Sequence, residues 1–257
     1  MEFFGDYHTH SRYSDGRERI IDIVDAAVSR GLDEVAITDH GPRVLGSGVR
    51  NVESYKHILE QVNALDKPRI RVLVGAEANI LDKDGNLDIP VSSYQDLDVL
   101  ICGLHPFTLP NDVANGLKLF GTNYLRFLGK NLGRKAVETN TKAVIAALEK
   151  NPVDILAHPG LYFEVDIEEV ARACIEYNVL FEINCGHHYP DANKLHTANR
   201  MGVNFIVNSD AHFYDSVGVL HYGSDLVKTV GVDKERVFNC KNGGGRRWIG
   251  KRKSSKH

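Results

Sequence analysis

The chain has few of the features that mark secreted, membrane-spanning or strongly nucleic-acid-binding proteins. It contains four cysteines in 257 residues, and no two of them form a CxxC pair. No basic and apolar leader begins the sequence, so these cysteines indicate reduced thiols in a cytoplasmic protein. No apolar run approaches the roughly 18 residues that a membrane-spanning helix requires. The formal net charge of -3 gives no general attraction to membranes or nucleic acids.

The composition is that of an ordinary globular protein, with 42% hydrophobic and 25% charged residues. A chain of 257 residues is long for one domain, but α/β barrels reach this size as single units. We therefore expect one barrel domain over residues 1–240. Residues 241–257 are rich in glycine, arginine and lysine, which predicts a basic, flexible C-terminal tail. A contact between this tail and nucleic acid is the less favoured alternative.

Strand-like and helix-like segments alternate along the chain. Short apolar runs predict strands at residues 3–8, 34–38, 70–76, 97–103, 153–157, 179–184 and 204–208. Amphipathic spacing predicts helices at residues 18–30, 53–65, 134–149, 167–177 and 191–201. Seven strands with intervening helices predict an α/β fold with a parallel sheet. Closure into a seven-stranded (β/α) barrel of the TIM-barrel kind is favoured over an open doubly wound sheet, because potential ligands follow nearly every strand.

Two stretches depart from this alternation. Residues 78–91 contain the turn signal Asp84-Gly85-Asn86 and are predicted to form a short hairpin or loop. Residues 106–133 hold four glycines and are predicted to form a helical excursion over the site, which makes them a candidate lid. Both stretches follow predicted strands that end in potential ligands.

Side chains that commonly bind metal ions stand at or just after the ends of six predicted strands. They are His8, His10 and Asp15 after the first strand, His40 after the second, Glu77 after the third, His105 after the fourth, His158 after the fifth, and Asp210 and His212 after the seventh. Since the carboxyl ends of parallel strands meet at one rim of a barrel, all of these residues can converge there. Histidine, aspartate and glutamate in this number are the ligands that a cluster of divalent metals needs.

Two pairs of these candidates show the same two-residue spacing. His8 and His10 alternate along a strand, so both side chains point to one face and can bind one ion. Asp210 and His212 follow the seventh strand, which barrel closure places beside the first. A carboxylate at Glu77 can bridge two ions through its two oxygens, which a neutral imidazole cannot do.

The other candidates also have purely structural interpretations. His40 can be the neighbour of a helix cap, and Asp15 precedes glycine, a combination that is common in turns. Glu77 can be a solvated strand end. His105 and His158 can be hydrogen-bonded core histidines, although the proline after each of them favours a stiff, extended position that suits a ligand. The joint pattern favours metal binding at all of these positions.

Three further residues are predicted to contact a substrate. Arg43 lies three positions after His40, and a guanidinium can bind a phosphate through two hydrogen bonds. A surface charge is the alternative for this residue. His187 and His188 follow the sixth strand, which has no obvious metal ligand, so their loop can face the substrate. His188 is also a candidate donor of the proton that a leaving group takes up.

The motifs around these residues resemble the PHP (polymerase and histidinol phosphatase) family, in particular its stand-alone, phosphatase-like members. The resemblance runs over about residues 5–240 and rests on the segments His8-Thr9-His10, Ser14-Asp15-Gly16, Thr38-Asp39-His40-Gly41-Pro42, Gly75-Ala76-Glu77-Ala78-Asn79, Gly103-Leu104-His105, Ala157-His158-Pro159-Gly160, Glu182-Ile183-Asn184 and Ser209-Asp210-Ala211-His212. It implies a distorted seven-stranded (β/α) barrel with up to three metal ions.

The resemblance also implies how these ions are held. One ion is expected near His8, His10, Glu77 and Asp210, a second near Glu77, His105 and His158, and a third near Asp15, His40 and His212. Two to three divalent ions are therefore expected, with zinc first and manganese or iron as alternatives. Aspartate at position 15 offers an oxygen ligand, which can loosen the zinc preference of the third site or lower its occupancy.

Together these ligands lead to the hypothesis of an enzyme, a metal-dependent phosphatase that hydrolyses a small phosphomonoester with a metal-activated water. Histidinol phosphate is a candidate substrate by resemblance alone, and a nuclease or nucleotide phosphoesterase is a second alternative. An amidohydrolase-like enzyme is less favoured, because no predicted strand end carries the lysine that such sites commonly modify. A metal-stabilised binding module is the non-enzymatic alternative. The sequence indicates no oligomeric state.

Overall fold

The computed structural model describes residues 1–66, 69–244 and 248 of the chain. Seven parallel strands form one sheet in the order β1 to β7, and each is hydrogen-bonded to the next. The strands are β1 Gly5–Asp6, β2 Glu34–Ile37, β3 Arg71–Asn79, β4 Val99–Gly103, β5 Ile155–Leu156, β6 Leu180–Asn184 and β7 Phe205–Asn208. The prediction of a seven-stranded α/β barrel is confirmed.

The sheet closes at the rim formed by the carboxyl ends of its strands. Just beyond β1 and β7, Thr9 and Ala211 form a parallel bridge, and the His10 amide donates to the Ala211 carbonyl over 2.8 Å. β1 is shorter than predicted because side chains take the place of a neighbouring strand. The Tyr7 amide donates to Asn208 Oδ1 over 3.1 Å in this way.

The helices lie between the strands, and all five predicted helices are present. The α-helices are α1 Ile20–Ser29, α2 Ser54–Asn63, α3 Val113–Gly116, α4 Thr122–Leu125, α5 Lys130–Lys150, α6 Ile167–Glu176, α7 Ala192–Met201 and α8 His221–Val230. Asp166 and Asp191 cap α6 and α7, because their side chains accept from backbone amides of the first turn. α8 was not predicted, since its first turn contains the weak helix formers Gly223 and Ser224.

Both predicted departures from the alternation are present. A short hairpin follows β3, where Ile80 and Leu87 form an antiparallel bridge. After β4 the chain makes the helical excursion, which contains α3, a π-helical segment at Leu117–Gly121, α4 and a 3-10 turn at Arg126–Leu128 before α5 begins. The role of this excursion as a lid stays a prediction.

An aromatic cluster fills the end of the barrel opposite the predicted ligands. Trp248 packs against the Tyr7 ring, with centroids 5.3 Å apart, and its indole nitrogen donates to the Asp98 carbonyl over 2.9 Å. Trp248 therefore differs from the predicted flexible tail, because its large apolar side chain is buried in the barrel end. Residues 241–244 are also described, whereas 245–247 and 249–257 of that tail lie outside the described residues.

Neither disulfides nor membrane-spanning helices occur in the described part of the chain. Cys102, Cys174, Cys185 and Cys240 are all free and buried. No helix among residues 1–66 and 69–244 combines the length and the apolar character needed to cross a bilayer.

Candidate metal centre

The structure brings all nine predicted ligands together at the carboxyl rim of the barrel. Glu77 lies within β3, Asp15 lies on the loop between β1 and α1, and the other ligands follow the ends of β1, β2, β4, β5 and β7. Seven of the nine are buried, namely His8, His10, His40, Glu77, His105, His158 and Asp210. Asp15 and His212 are more exposed, so the third predicted ion would lie nearest to solvent.

Glu77 stands at the centre of this group. One carboxylate oxygen, Oε2, lies 3.1 Å from His8 Nε2 and 2.9 Å from His40 Nδ1. The other oxygen, Oε1, lies 3.1 Å from the Nε2 atoms of both His105 and His158. The two oxygens therefore face different histidines, which is the arrangement expected of a carboxylate that bridges two ions.

Asp210 is a second carboxylate that approaches the His8 and His10 pair, through the same Nε2 atoms that lie near Glu77. Its Oδ1 atom lies 3.0 Å from His10 Nε2 and 3.5 Å from His8 Nε2. The Asn184 side chain donates to Oδ2 over 2.9 Å and so fixes the plane of the carboxylate. Asp210 has a φ of 53°, in the left-handed region that aspartate adopts more readily than most residues.

Three groups of potential ligands have their donor atoms within 4.8 Å of one another. The groups are His10 with Asp15, His40 and His212; His8 with His10 and Asp210; and His40 with Glu77 and His105. These three groups share more residues than the three ligand sets implied by the resemblance, since His10 and His40 each belong to two groups. His10 and His40 are shared because their rings are stacked, with centroids 4.4 Å apart.

Several buried ligand atoms lack a hydrogen-bond partner among the described residues. These atoms are His8 Nε2, His10 Nδ1, His10 Nε2, His40 Nδ1 and Glu77 Oε2. A buried polar atom left without a partner costs about 1–3 kcal/mol. Atoms that bind one tetrahedral ion at about 2.1 Å lie roughly 3.4 Å apart, close to the separations around Glu77. The residues present therefore fit a group of bound divalent cations.

The charges within the cluster shift its pKa values. Burial raises the pKa of Glu77, but the charges of His8 and other imidazoles outweigh burial and hold this pKa well below its usual range. Burial and the neighbouring charges of His40 and His212 lower the pKa of His10 to about 3. Glu77 is therefore an anion and His10 a neutral imidazole near pH 7, the forms in which both side chains bind metals.

Glu182 is a site residue that the sequence indicated only as part of a motif shared with the PHP family, without a role at the site. It lies on β6, is fully buried, and its Oε1 atom is 2.7 Å from His8 Nδ1. Its Oε2 atom accepts from the His158 amide over 2.9 Å and from Asn184 Nδ2 over 3.1 Å. A glutamate inside an apolar strand was the signal, because a fully buried glutamate is rare unless it is paired.

A second buried carboxylate positions the loop that carries Asp15. Asp39 accepts from the Ser11 amide and the Ser11 hydroxyl, both over 2.7 Å, and from the Ser14 hydroxyl over 2.5 Å. Asn79 plays a similar part for another ligand, since its Oδ1 atom lies 2.7 Å from His105 Nδ1. These bonds orient ligands without belonging to the group that would touch an ion.

A cavity of about 530 Å³ opens above the cluster and contains only one of the three predicted substrate contacts. His187 lines it, with Nε2 3.4 Å from Asp210 Oδ2. Arg43 does not, because its guanidinium donates to the carbonyls of Leu109 and Pro110 over 2.8 and 2.7 Å. His188 also points elsewhere and stacks on the Tyr222 ring.

A known structure has the same fold. The crystal structure of histidinol phosphate phosphatase from Lactococcus lactis subsp. lactis Il1403, complexed with Zn, L-histidinol and phosphate, superimposes with a TM-score of 0.56 at 17% identity. The match covers 88% of this chain and 93% of that one. At this identity the likeness shows the fold alone.

Sequence comparisons extend over nearly the whole chain. A protein named probable phosphatase from Thermoanaerobacter sp. is 30% identical over 253 residues, with 93% of this chain and 91% of the relative covered. A probable phosphatase from Caldanaerobacter subterraneus subsp. tengcongensis is 31% identical over 247 residues, with 91% and 86% covered. The model of the PHP domain matches residues 6–186, well over half of the sequence. The chain therefore belongs to the PHP domain family.

Proposed function

We propose that this enzyme holds two or three divalent ions at the barrel rim and hydrolyses a small phosphomonoester with a metal-activated water. The observation that carries this proposal is the position of Glu77, whose two oxygens face different histidines at about 3 Å. The partnerless buried atoms around Glu77 support it, since bound cations would provide their missing partners.

The chain is a metal-dependent phosphatase of the PHP domain family, because the family model matches most of it and its curated relatives are named probable phosphatases. We propose, in addition, the number and identity of the ions and the nature of the substrate. Zinc is the first choice, because imidazole nitrogens outnumber carboxylates in the cluster.

The chemistry divides between the ions and the protein. Divalent ions bound here would lower the pKa of a bound water and neutralise charge on the phosphoryl oxygens. Glu77 and Asp210, both anions in a buried setting, would hold the ions with the surrounding imidazoles. The sequence predicted substrate contacts for both His187 and His188. Because His187 lines the cavity beside Asp210, we assign the substrate contact to His187. Burial lowers the pKa of His187, which favours its neutral form near pH 7.

The proposal is tested with metal-reconstituted protein and p-nitrophenyl phosphate. Hydrolysis should require added metal, should stop when a chelator is present, and should resume when zinc, manganese or iron is restored. In labelled water a single turnover should place one solvent oxygen in the released phosphate. A trapped phosphoprotein, or solvent oxygen found in the alcohol product, would contradict direct attack by water.

A further inference from the structure

The cavity above the metal centre has two unlike walls. The inner wall includes His187 and six of the nine predicted metal ligands, namely Asp15, His40, His105, His158, Asp210 and His212. The outer wall is mainly apolar and includes Val44, Leu45, Pro106, Phe107, Tyr162 and Phe213, although Ser47 and Ser216 also line the cavity. Three of these side chains are unusually open to solvent for their type, since Leu45 is 59% exposed, Phe107 65% and Phe213 50%. Large apolar groups exposed together at a cavity mouth mark a surface that binds something.

The outer wall is held in place by hydrogen bonds and is more than a chance arrangement of loop residues. Val44 and Thr108 form an antiparallel bridge, and the Leu45 amide donates to the Phe107 carbonyl over 3.2 Å. The loop after β2 is thus joined to the loop after β4. The Arg43 side chain strengthens the joint by donating to the Leu109 carbonyl. Arg43 therefore supports the wall rather than facing the cavity.

Phe107 is the most unusual member of this wall. Its φ is 62°, in the left-handed region that bulky L-residues rarely adopt. A strained backbone usually persists where the surroundings hold it and where function benefits. Burial cannot be the benefit here, because the residue is 65% exposed. The strain instead keeps an aromatic ring at the mouth of the cavity.

The charges around the cavity restrict what the wall can bind. Among the described residues that line it there is no lysine or arginine. Its carboxylates are Asp15 and Asp210, and both face imidazoles of the metal centre. Arg17 lies over the Phe213 ring, 5.1 Å from its centroid, but does not line the cavity. A charged group on the substrate, beyond its phosphate, would therefore find no lysine or arginine among the lining residues and only carboxylates that already face imidazoles.

We propose that the outer wall binds the leaving group of the substrate and that this group is uncharged and apolar, with an aromatic ring preferred. This inference rests on the proposed phosphatase function and narrows its substrate class. The phosphate would lie at the metal centre, and the organic part would pack on Phe107, Leu45 and Phe213. A cationic alcohol such as histidinol is a poorer match to this wall than an aromatic alcohol.

Three phosphomonoesters of primary alcohols test the proposal, because their leaving groups differ mainly in charge and polarity. They are benzyl phosphate, glycerol phosphate and phosphoethanolamine, with histidinol phosphate added as a fourth. With metal-reconstituted protein, kcat/KM for benzyl phosphate should exceed the other values by at least about tenfold, the size of effect typical of an apolar pocket. Benzylphosphonate should also bind more tightly than methylphosphonate in calorimetry, which provides a readout that needs no turnover.

Two phenylalanine variants locate the effect. Phe107→Ala should raise the KM for benzyl phosphate about tenfold and change the KM for glycerol phosphate less than about twofold. Phe127→Ala is the matched control, since Phe127 is 80% exposed on the same excursion and does not line the cavity. This control substitution should leave the KM values for both substrates unchanged.

The outcomes separate this inference from the function on which it rests. Equal kcat/KM values for the esters, a preference for a charged ester, or an equal effect of Phe107→Ala on benzyl and glycerol phosphate would overturn the substrate class alone. If the metal-reconstituted protein hydrolysed none of the esters and no p-nitrophenyl phosphate, the phosphatase proposal would be overturned, and this inference with it.

Discussion

His8 Nδ1 lies 2.7 Å from Glu182 Oε1, and both side chains are fully buried. This bond turns the opposite nitrogen, Nε2, toward Glu77 and Asp210. The second oxygen of Glu182 accepts from the His158 amide, so one carboxylate orients ligands from two sides of the cluster. A carboxylate behind a metal-binding histidine fixes the ring and increases its basicity.

We predict that Glu182→Gln weakens metal binding roughly 10–100-fold, the range typical of such orienting partners. The variant keeps the size of the side chain but removes the charge that holds His8 in place. Chelator competition with a chromogenic indicator measures the affinity directly. Glu168→Gln is the control, because Glu168 pairs with Arg172 on the exposed face of α6. Equal affinities in the two variants would show that Glu182 is not an orienting residue.

Glu77→Gln should weaken metal binding more than Glu182→Gln does. The substitution removes a negative charge that faces His8 and His40 with one oxygen and His105 and His158 with the other. We expect loss of metal on both sides of Glu77 and loss of phosphatase activity. Elemental analysis of the purified variant and a p-nitrophenyl phosphate assay measure the two effects. Turnover close to that of the unmodified protein would refute the bridging role.

The unmodified protein should contain two to three transition-metal ions per chain. Eight of the predicted ligands fall into the three clustered groups, the ninth, His158, lies 3.1 Å from Glu77, and these positions together with the partnerless buried atoms lead to this expectation. Elemental analysis after extensive washing without chelator gives the number. An active preparation that carries no metal would rule out the whole metal centre.

Metal binding should release protons. Burial lowers the pKa of His212, but the hydrogen bond to Asp15 and the charge of Asp210 outweigh it and raise this pKa to about 9. In metal-free protein at pH 7.5 this imidazole is therefore protonated, and it must lose its proton to bind an ion. The stability that this group adds to metal-free protein is present below its unfolded pKa of about 6.5 and is lost as pH rises through about 9.

Calorimetry in two buffers of different ionisation enthalpy counts the released protons. The count should fall as pH rises through 9, and His212→Asn should release fewer protons at pH 7.5 than the unmodified protein. His8 and His40, whose pKa values are also raised, would still contribute in this variant. An unchanged count in His212→Asn would contradict the assignment of His212 as a ligand.

Trp248→Ala should destabilise the protein by about 3–5 kcal/mol, the usual cost of removing a large buried aromatic side chain. Trp248 closes the barrel end opposite the metal centre and contacts the rings of Tyr7 and Phe238. Urea unfolding followed by circular dichroism measures the loss, and Trp248→Phe should recover much of it. The kcat/KM of the folded variant should be unchanged. A loss below about 1 kcal/mol would indicate that the indole contributes little to the core.

The clustering of the predicted metal ligands could be foreseen because their placement depends on local pattern and one general rule. Short apolar runs mark the strands, and parallel strands that close into a barrel present all their carboxyl ends at one rim. The end of the strand then largely fixes the position of a ligand-type residue such as His105 or His158. The same reasoning correctly placed Asp15, although it lies beyond the strand.

The orientation of side chains beyond the strand ends could not be predicted in this way. Arg43, His187 and His188 all lie on loops that follow strand ends, yet only His187 lines the cavity. Arg43 finds carbonyl acceptors on the loop after β4, and His188 finds an aromatic partner in Tyr222. Each outcome depends on a neighbour that is distant in the chain.

The sequence by itself therefore determined the barrel and the gathering of the predicted metal ligands at one rim, since these follow from periodicity and from the residue types at strand ends, while the chemical class of the enzyme came from the resemblance of its motifs to the PHP family. The tertiary structure decided which residues orient the ligands and which form the apolar wall. Glu182 meets His8 across 174 positions of sequence, and Trp248 reaches Asp98 across 150. Such contacts exist only after the chain has closed on itself, because side-chain hydrogen bonds and packing act over a few ångströms in space and not along the sequence.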